Sequence, residues 1–299
     1  MFCIRRIAAE RISEESGGSV KYKIEKGSVQ ETLLIPLYGR KLAMDLYPDL
    51  FADKECQSLL ESIDFDAPPM TGIKAKIGAL MAATRQFDMA EACRRYLKEH
   101  PHAVIVNLGC GLDTTFYQAD NGTAKGYNLD FPDVITVRNE LLPPREREHN
   151  VACNLMDFSW FGSIEFKPED GALFFASGVF YYFKTEDVRK LFSALDERFP
   201  GGKLVFDATN SKGLKNMLKT WLEPAQMEKV GLYFSVDDER SLLSWSDCFA
   251  SVAHKGYMTG YRPLDKRYGI LANTIFRFED MSRMCQVIEI EFKPESGVA

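Results

Sequence analysis

The most constraining feature of the chain is the stretch Val104-Ile-Val-Asn-Leu-Gly-Cys-Gly-Leu-Asp-Thr114. It reads as a buried strand that ends in a tight glycine turn. An Asp/Thr pair suited to start a helix follows. Such a layout places backbone N–H groups and a helix N-terminus around a ligand at the end of a parallel sheet. It predicts a nucleotide-like cofactor.

The surrounding texture agrees. Strands are predicted at Ala103–Leu108, Lys125–Leu129, Asn150–Leu155, Ala172–Ala176 and Lys203–Asp207, with helices at Asp133–Leu142 and Thr185–Phe199 between them. Alternation of this kind predicts a parallel sheet with helices on both faces. The closing run Cys285-Gln-Val-Ile-Glu-Ile-Glu-Phe292 alternates apolar and polar residues, which suits an antiparallel edge. Ahead of the first strand, Ser58–Ile63 reads as a short helix. Phe87, Ala90, Cys93 and Leu97 recur at helical spacing before Pro101. Pro36 is expected to limit any helix through Val29–Arg40.

These signals divide the chain into a polar leader, 1–27, and one domain, 28–299. Within the domain, 28–100 forms a helical lid, 101–209 the cofactor-binding core, 210–262 a lid and acceptor segment, and 263–299 the sheet edge. The 21 Phe, 12 Tyr and 3 Trp supply a large core. A net charge of −6 offers no basic footprint for neutralising phosphates, so nucleic acid is not an expected partner. The seven cysteines are scattered, with no C-x-x-C pair, which argues against a disulfide framework or a structural zinc site. No apolar run approaches the roughly 18–20 residues that cross a bilayer. The N-terminus lacks the long apolar core of a signal peptide. A cytoplasmic protein with reduced thiols and no metal is expected; a homodimer is left open.

A dinucleotide loop wants G-x-G-x-x-G, and here Thr114 stands where the third glycine would be. Asp130 ends the second strand nineteen residues after Gly111, where a carboxylate can accept both hydroxyls of a ribose. That much fits NAD and S-adenosyl-L-methionine alike. The missing glycine favours S-adenosylmethionine, which has no pyrophosphate to cradle. Its methionyl carboxylate still needs a cation, and Arg85, upstream of the turn, is suited to a bidentate bond. The candidate cofactor set is Arg85, Asn107, Gly109, Gly111, Asp113, Thr114, Asp130, Phe131, Asn154, Leu155, Asp157 and Ser177. Cys110, inside the turn, reads as a small packing residue.

Five segments together resemble the leucine carboxyl methyltransferase family. They are Glu31-Thr-Leu-Leu-Ile-Pro-Leu-Tyr-Gly-Arg40, Ala83-Thr-Arg-Gln-Phe-Asp88, Val106–Thr114, Asn128-Leu-Asp-Phe-Pro132 and Ser177-Gly-Val-Phe-Tyr-Tyr-Phe183. The nearer likeness is to bacterial O-methyltransferases of polyketide biosynthesis. The resemblance implies a class I S-adenosylmethionine methyltransferase fold. Its sheet is seven-stranded and mostly parallel, with an antiparallel C-terminal edge hairpin, helices on both faces and a helical lid. It also implies that Arg85 binds the methionyl carboxylate, Gly109 lies against the cofactor, Asp130 takes the ribose, and Asn154 and Leu155 flank the adenine. The chain departs from the family in two places: Asn154 replaces an acid after strand three, and Ser177 replaces an acid after strand four. Asn154 can still accept and donate hydrogen bonds, but Ser177 cannot supply a carboxylate to the methionyl amine, which fits the small-molecule branch better than protein-carboxyl activity.

The expected activity is methyl transfer to a hydroxyl or carboxylate of a small, polyketide-like or phenolic acceptor. The alternatives are a protein C-terminal leucine carboxyl methyltransferase and a catalytically silent cofactor-binding protein. Tyr182 and His254 are the candidate catalytic residues, His254 as a base for a phenol.

Overall fold

The computed structural model describes residues 21–23, 29–64, 71–217 and 231–295. Nearly all of the expected leader, and residues 218–230 of the expected lid and acceptor segment, lie outside the described residues. The chain opens with β1 (Tyr22–Lys23), α1 (Val29–Leu46), α2 (Lys54–Glu61), β2 (Ile63–Asp64) and α3 (Gly72–Glu99). β1 and β2 pair in parallel as a separate two-stranded ribbon. The central part runs β3 (Val104–Leu108), α4 (Thr115–Ala119), β4 (Lys125–Asp130), α5 (Pro132–Leu141), β5 (Glu148–Ala152), β6 (Ala172–Ala176), α6 (Thr185–Arg198) and β7 (Lys203–Thr209). It ends with α7 (Ser211–Met217), β8 (Phe249–Gly256), α8 (Ile270–Ser282) and β9 (Cys285–Phe292).

The large sheet has seven strands in the order β5-β4-β3-β6-β7-β9-β8. β3 pairs in parallel with β4 on one side and β6 on the other. β9 runs antiparallel to both β7 and β8. The seven-stranded mixed sheet with its antiparallel edge is therefore present as expected. The order reverses at β3, so a crevice opens beyond the C-terminal ends of β3 and β6, where open α/β sheets bind ligands.

Both faces of the central strands are covered, which explains their near-continuous apolar sequence. Val106, Phe174 and Phe206 point to one face and meet Val188, Leu191, Phe192 and Leu195 of α6. Ile105, Phe175 and Val205 point to the other and meet Met89, Cys93 and Leu97 of α3.

Several boundaries differ from the sequence expectations. α1 runs straight through Pro36. Losing one N–H bond and accommodating the proline ring costs about 3 kcal/mol in a helix interior. Leu34 and Leu37 offset it by burying against Cys56 and Leu59 of α2 and Val137 of α5. α3 begins about fifteen residues before the first periodic apolar residue, because its N-terminal half packs on α1 and not on the sheet. β5 ends at Ala152, so Asn154 and Leu155 lie in a turn and not in a strand.

The glycine turn is braced from below by α5. Arg138, 1% exposed, donates from Nη1 to the carbonyls of Gly111 (3.0 Å) and Asp113 (2.8 Å). Its Nε reaches Asn150 Oδ1 at 3.2 Å, and its Nη2 faces buried Glu148 at 3.5 Å. Breaking a buried pair strands the other charge, at a cost of about 3–5 kcal/mol. Arg138→Met should lose stability of that order in urea denaturation. Adding Glu148→Gln should restore part of it, by removing the stranded carboxylate. A double variant no more stable than the single one would show that the ion pair is not the source.

Asp88, on α3, is 1% exposed, and neither carboxylate oxygen has a hydrogen-bond partner among the described residues. Desolvation pushes its carboxyl up from 3.8 to about 8, against the opposing pull of Arg262, with Asp280, Lys255 and Arg95 also acting on it. The folded state therefore keeps a proton that the unfolded chain releases above about 4. Asp88 thus costs stability progressively as pH rises from about 4 to about 8, by up to about 1.4 kcal/mol per pH unit. Asp88→Asn should remove that slope, so its stability relative to wild type should rise with pH. A difference independent of pH would contradict the assignment.

Candidate functional site

A cavity of about 310 Å³ opens at the C-terminal ends of β3, β4, β6 and β7. Its floor is the glycine turn, its roof is α1 (Pro36, Gly39, Arg40) and α3 (Met81, Arg85, Gln86), and its far wall is the segment after β6. The volume lies at the lower end of the range of small-molecule sites, about 300–1,000 Å³.

The turn follows from its sequence. Gly109 has φ +70°, and a Cβ there would sit 2.7 Å from the Val179 side chain. Only glycine lets β3 turn this closely against the segment after β6. Asp113 then serves the helix as expected: it accepts from the Thr115 N–H at 2.8 Å and from the Thr115 hydroxyl at 2.9 Å. Asn107 holds Asp113 from the strand end at 3.1 Å. Cys110 is buried under the turn, and burial pushes its thiol well up, so it is a packing residue and not a nucleophile.

Asp130 ends β4 and lines the cavity. One carboxylate oxygen accepts the Gly111 N–H at 2.8 Å, the other the Phe131 N–H at 2.8 Å. Burial raises its pKa, while these two N–H bonds oppose the shift. Each oxygen keeps a free lone-pair direction, the arrangement a vicinal diol can use. Phe131, the next residue, is 39% exposed at the N-cap of α5 and does not line the cavity.

Arg85 projects from α3 into the cavity and forms an ion pair with Asp207 at 3.3 Å. Asp207, near the end of β7, also accepts the Gly178 N–H at 2.6 Å and the Tyr181 hydroxyl at 2.9 Å. Ser177 precedes this cluster and lines the same cavity. Sequence reasoning missed Asp207. It stands inside a buried strand, and only the parallel pairing of β6 with β7 brings it beside the turn after β6.

Not every expected residue is gathered here. Thr114 is 1% exposed and outside the cavity. Its hydroxyl belongs to a buried network: it donates to Asp53 at 3.0 Å and accepts from Arg40 (3.1 Å) and Gln86 (2.6 Å). Arg40 completes the network with an ion pair to Asp53 at 3.1 Å and a bond to the Leu112 carbonyl at 3.3 Å. Thr114 therefore fastens the turn to α1, α2 and α3. Asn154 and Asp157 are exposed and accept from the N–H groups of Met156 and Ser159 within their own turn. Leu155 is buried, and its carbonyl accepts from Trp160. None of the three lines the cavity.

Of the two catalytic candidates, Tyr182 is at the cavity and His254 is not. His254 lies on edge strand β8, its Nδ1 3.1 Å from Glu239, which Arg283 also engages. Pairing with β9 carries it away from the crevice, so it is withdrawn as a base for this site. Burial raises the pKa of Tyr181, Tyr182 and Tyr257, so all three stand in the wall as phenols; Tyr181 donates to Asp207 and Tyr257 to the Met81 carbonyl.

Comparisons with known proteins agree with this geometry. The tetracenomycin polyketide synthesis O-methyltransferase TcmP of Streptomyces glaucescens is 29% identical over 182 residues, 60% of this chain. The match spans 66% of that relative, just under two thirds of its length. A protein of Thermobifida fusca, provisionally described as a methyltransferase, superposes with a TM-score of 0.59 at 16% identity, over 90% of this chain and 96% of its own. The plantazolicin methyltransferase BpumL, solved with S-adenosylhomocysteine and a triazolic desmethylPZN analogue, superposes with a TM-score of 0.50 at 13% identity, over 89% of this chain and all of its own. Likenesses at such identities establish the fold. The leucine carboxyl methyltransferase model matches residues 39–196, more than half of the 299 residues, and the chain belongs to that family.

Proposed function

We propose that this chain is an S-adenosylmethionine-dependent O-methyltransferase acting on a small molecule. The observation that carries the reading is the convergence of the glycine turn, Asp130 and Arg85 on one cavity at the switch point of the sheet. The donor set fits the cofactor: a carboxylate with free acceptor directions for the ribose, a guanidinium for the methionyl carboxylate, and glycine backbone close enough to touch it. Phe131 beside Asp130 offers a face to the adenine. The roles of Asn154, Leu155 and Asp157 in flanking the adenine stay part of this proposal.

When bound, S-adenosylmethionine supplies a methyl carbon already activated by a sulfonium. The chain's own work is to position an oxygen nucleophile and exclude water. Arg40 and the helices α1 and α3 close the roof, and Tyr181, Tyr182 and Tyr257 form the wall. Among the described residues that line the cavity there is no histidine or lysine, and Asp207 is ion-paired to Arg85. This lining suits an acceptor that enters as a carboxylate, or as a phenol or enol acidic enough to ionise without a strong base. TcmP is described as acting in polyketide synthesis, and an aromatic polyketide oxygen suits such a wall. The reading treats 28–100 and 210–262 as a lid over the core. It places the protein in the reducing cytoplasm, supported by the free thiols of all six described cysteines. Among the described residues no helix is long and apolar enough to cross a membrane.

The family description favours a second reading, methylation of a protein C-terminal leucine. Incubating extract with methyl-labelled cofactor separates the two: label in small extractable products supports the proposal, and label on a protein band supports the alternative. Calorimetric titration with S-adenosylhomocysteine tests the site itself. Asp130→Ala and Arg85→Ala should each weaken binding at least tenfold, and unchanged affinity in both would reject the assignment. Binding should also weaken on acidification at a pH above the ordinary carboxylate range, because burial raises the Asp130 pKa and the protonated acid accepts the ribose less well.

A further inference from the structure

Resting on that reading, we propose that Asp207 receives the α-ammonium of the cofactor. The Arg85–Asp207 ion pair then acts as a preformed counterpart for the whole zwitterionic head of the methionyl group, with Arg85 taking its carboxylate. Nothing in the sequence motifs assigns this role, because the acid expected after β6 is replaced by Ser177.

Three observations carry the assignment. The first is place. Asp207 is 2% exposed yet lines the cavity, and its Oδ1 lies 2.6 Å from the N–H of Gly178, the residue after Ser177. A carboxylate from β7 thus reaches the spot that a short serine side chain leaves without charge. Gly178 keeps the approach open: it has φ +75°, and a Cβ there would meet Arg85 Nη1 at 2.7 Å.

The second is unused hydrogen-bonding capacity. Among the described residues, Oδ1 of Asp207 accepts one N–H, from Gly178, and a carboxylate oxygen has two lone-pair directions. Arg85 has five N–H donors, and its bond to Asp207 is made by Nη1 alone. Both partners line the cavity with capacity to spare. An ammonium and a carboxylate on one carbon complement that pair in charge and in donor direction.

The third is electrostatic. A buried ion pair recovers its desolvation cost only when its remaining donors and acceptors are satisfied. Tyr181 supplies one further donor to Asp207, its phenol held protonated by burial. An amino-acid head would supply the rest.

The test uses calorimetric titration of the full chain with three ligands: S-adenosylhomocysteine, its deaminated analogue with hydrogen in place of the ammonium, and 5′-methylthioadenosine, which lacks the amino-acid head. Wild type should bind S-adenosylhomocysteine at least tenfold more tightly than the deaminated analogue. Asp207→Asn should weaken S-adenosylhomocysteine at least tenfold. It should leave methylthioadenosine within about twofold and the deaminated analogue equal or tighter, since Arg85 loses its competitor for the ligand carboxylate. If Asp207 only positions Arg85, the variant weakens the deaminated analogue as much as S-adenosylhomocysteine, and the proposal falls. It falls equally if S-adenosylhomocysteine binding is unchanged. Should Asp207→Asn not fold, equal affinity of wild type for S-adenosylhomocysteine and its deaminated analogue overturns the proposal without any variant. A wild type that binds none of the three rejects the cofactor reading as well, which separates the two failures.

Discussion

The interaction on which the site depends is the pair of hydrogen bonds from Arg138 to the carbonyls of Gly111 and Asp113. A glycine turn is conformationally permissive, and that freedom must be removed before its backbone can serve as a ligand surface. Arg138 removes it with a planar, permanently charged donor fork fixed by Glu148 and Asn150 on β5. Two neighbouring elements of the core are thereby locked to the turn between β3 and α4. Asp130 adds a third tie, from the end of β4 to the Gly111 N–H. The turn is thus held by its carbonyls from beneath and by an N–H from the side, while the surface toward the cavity stays open.

The roof is fastened to the same turn by a different device. Arg40, Asp53, Gln86 and Thr114 belong to α1, the N-cap of α2, α3 and the turn, and their polar groups meet in one buried cluster. Buried ionic clusters add little net stability compared with a well-packed apolar contact. They do impose geometry, because a partly satisfied network is costly. An apolar roof could slide over the turn with small loss; this one has a single register in which Arg40 meets both Asp53 and Thr114. Here the network fixes where α3 lies, and therefore where Arg85 enters the cavity, one residue before Gln86.

How much of this was legible in the sequence follows from where each residue's partners lie. The strand-turn-helix stretch was readable because its partners are local: Asp113 bonds to Thr115, and Gly109 needs only its own φ and the nearness of Val179. Asp130 was readable for the same reason, at a fixed distance along one βαβ unit. Pro36 misled because local propensity argues against a helix, while the packing of Leu34 and Leu37 on α2 and α5 overrides it. Thr114 was correctly noticed as an unusual residue but given the wrong partner, since Arg40, Asp53 and Gln86 lie 74, 61 and 28 positions away. Asp207 and Arg138 carried no signal of their own. One sits in an apolar strand and the other on an ordinary helix, and only the fold turns both toward the cavity end. His254 was the reverse case: a chemically attractive residue whose strand pairing carries it to the wrong edge.

These placements divide the site into parts of different origin. The floor is specified by short-range sequence and is held rigidly, which suits a cofactor whose shape does not vary. The far wall is assembled from Tyr181 and Tyr182 after β6, Leu232 from the segment after α7, and Tyr257 after β8. The carbonyl of Tyr181 also accepts the Tyr233 N–H at 2.7 Å, so the segment that carries Leu232 is hung from the residue whose hydroxyl touches Asp207. One tyrosine therefore joins both parts of the site, its hydroxyl on the charged pair and its backbone on the far wall. The far wall and the charged pair are in this way tied through a single residue, although their sequences lie on separate segments of the chain.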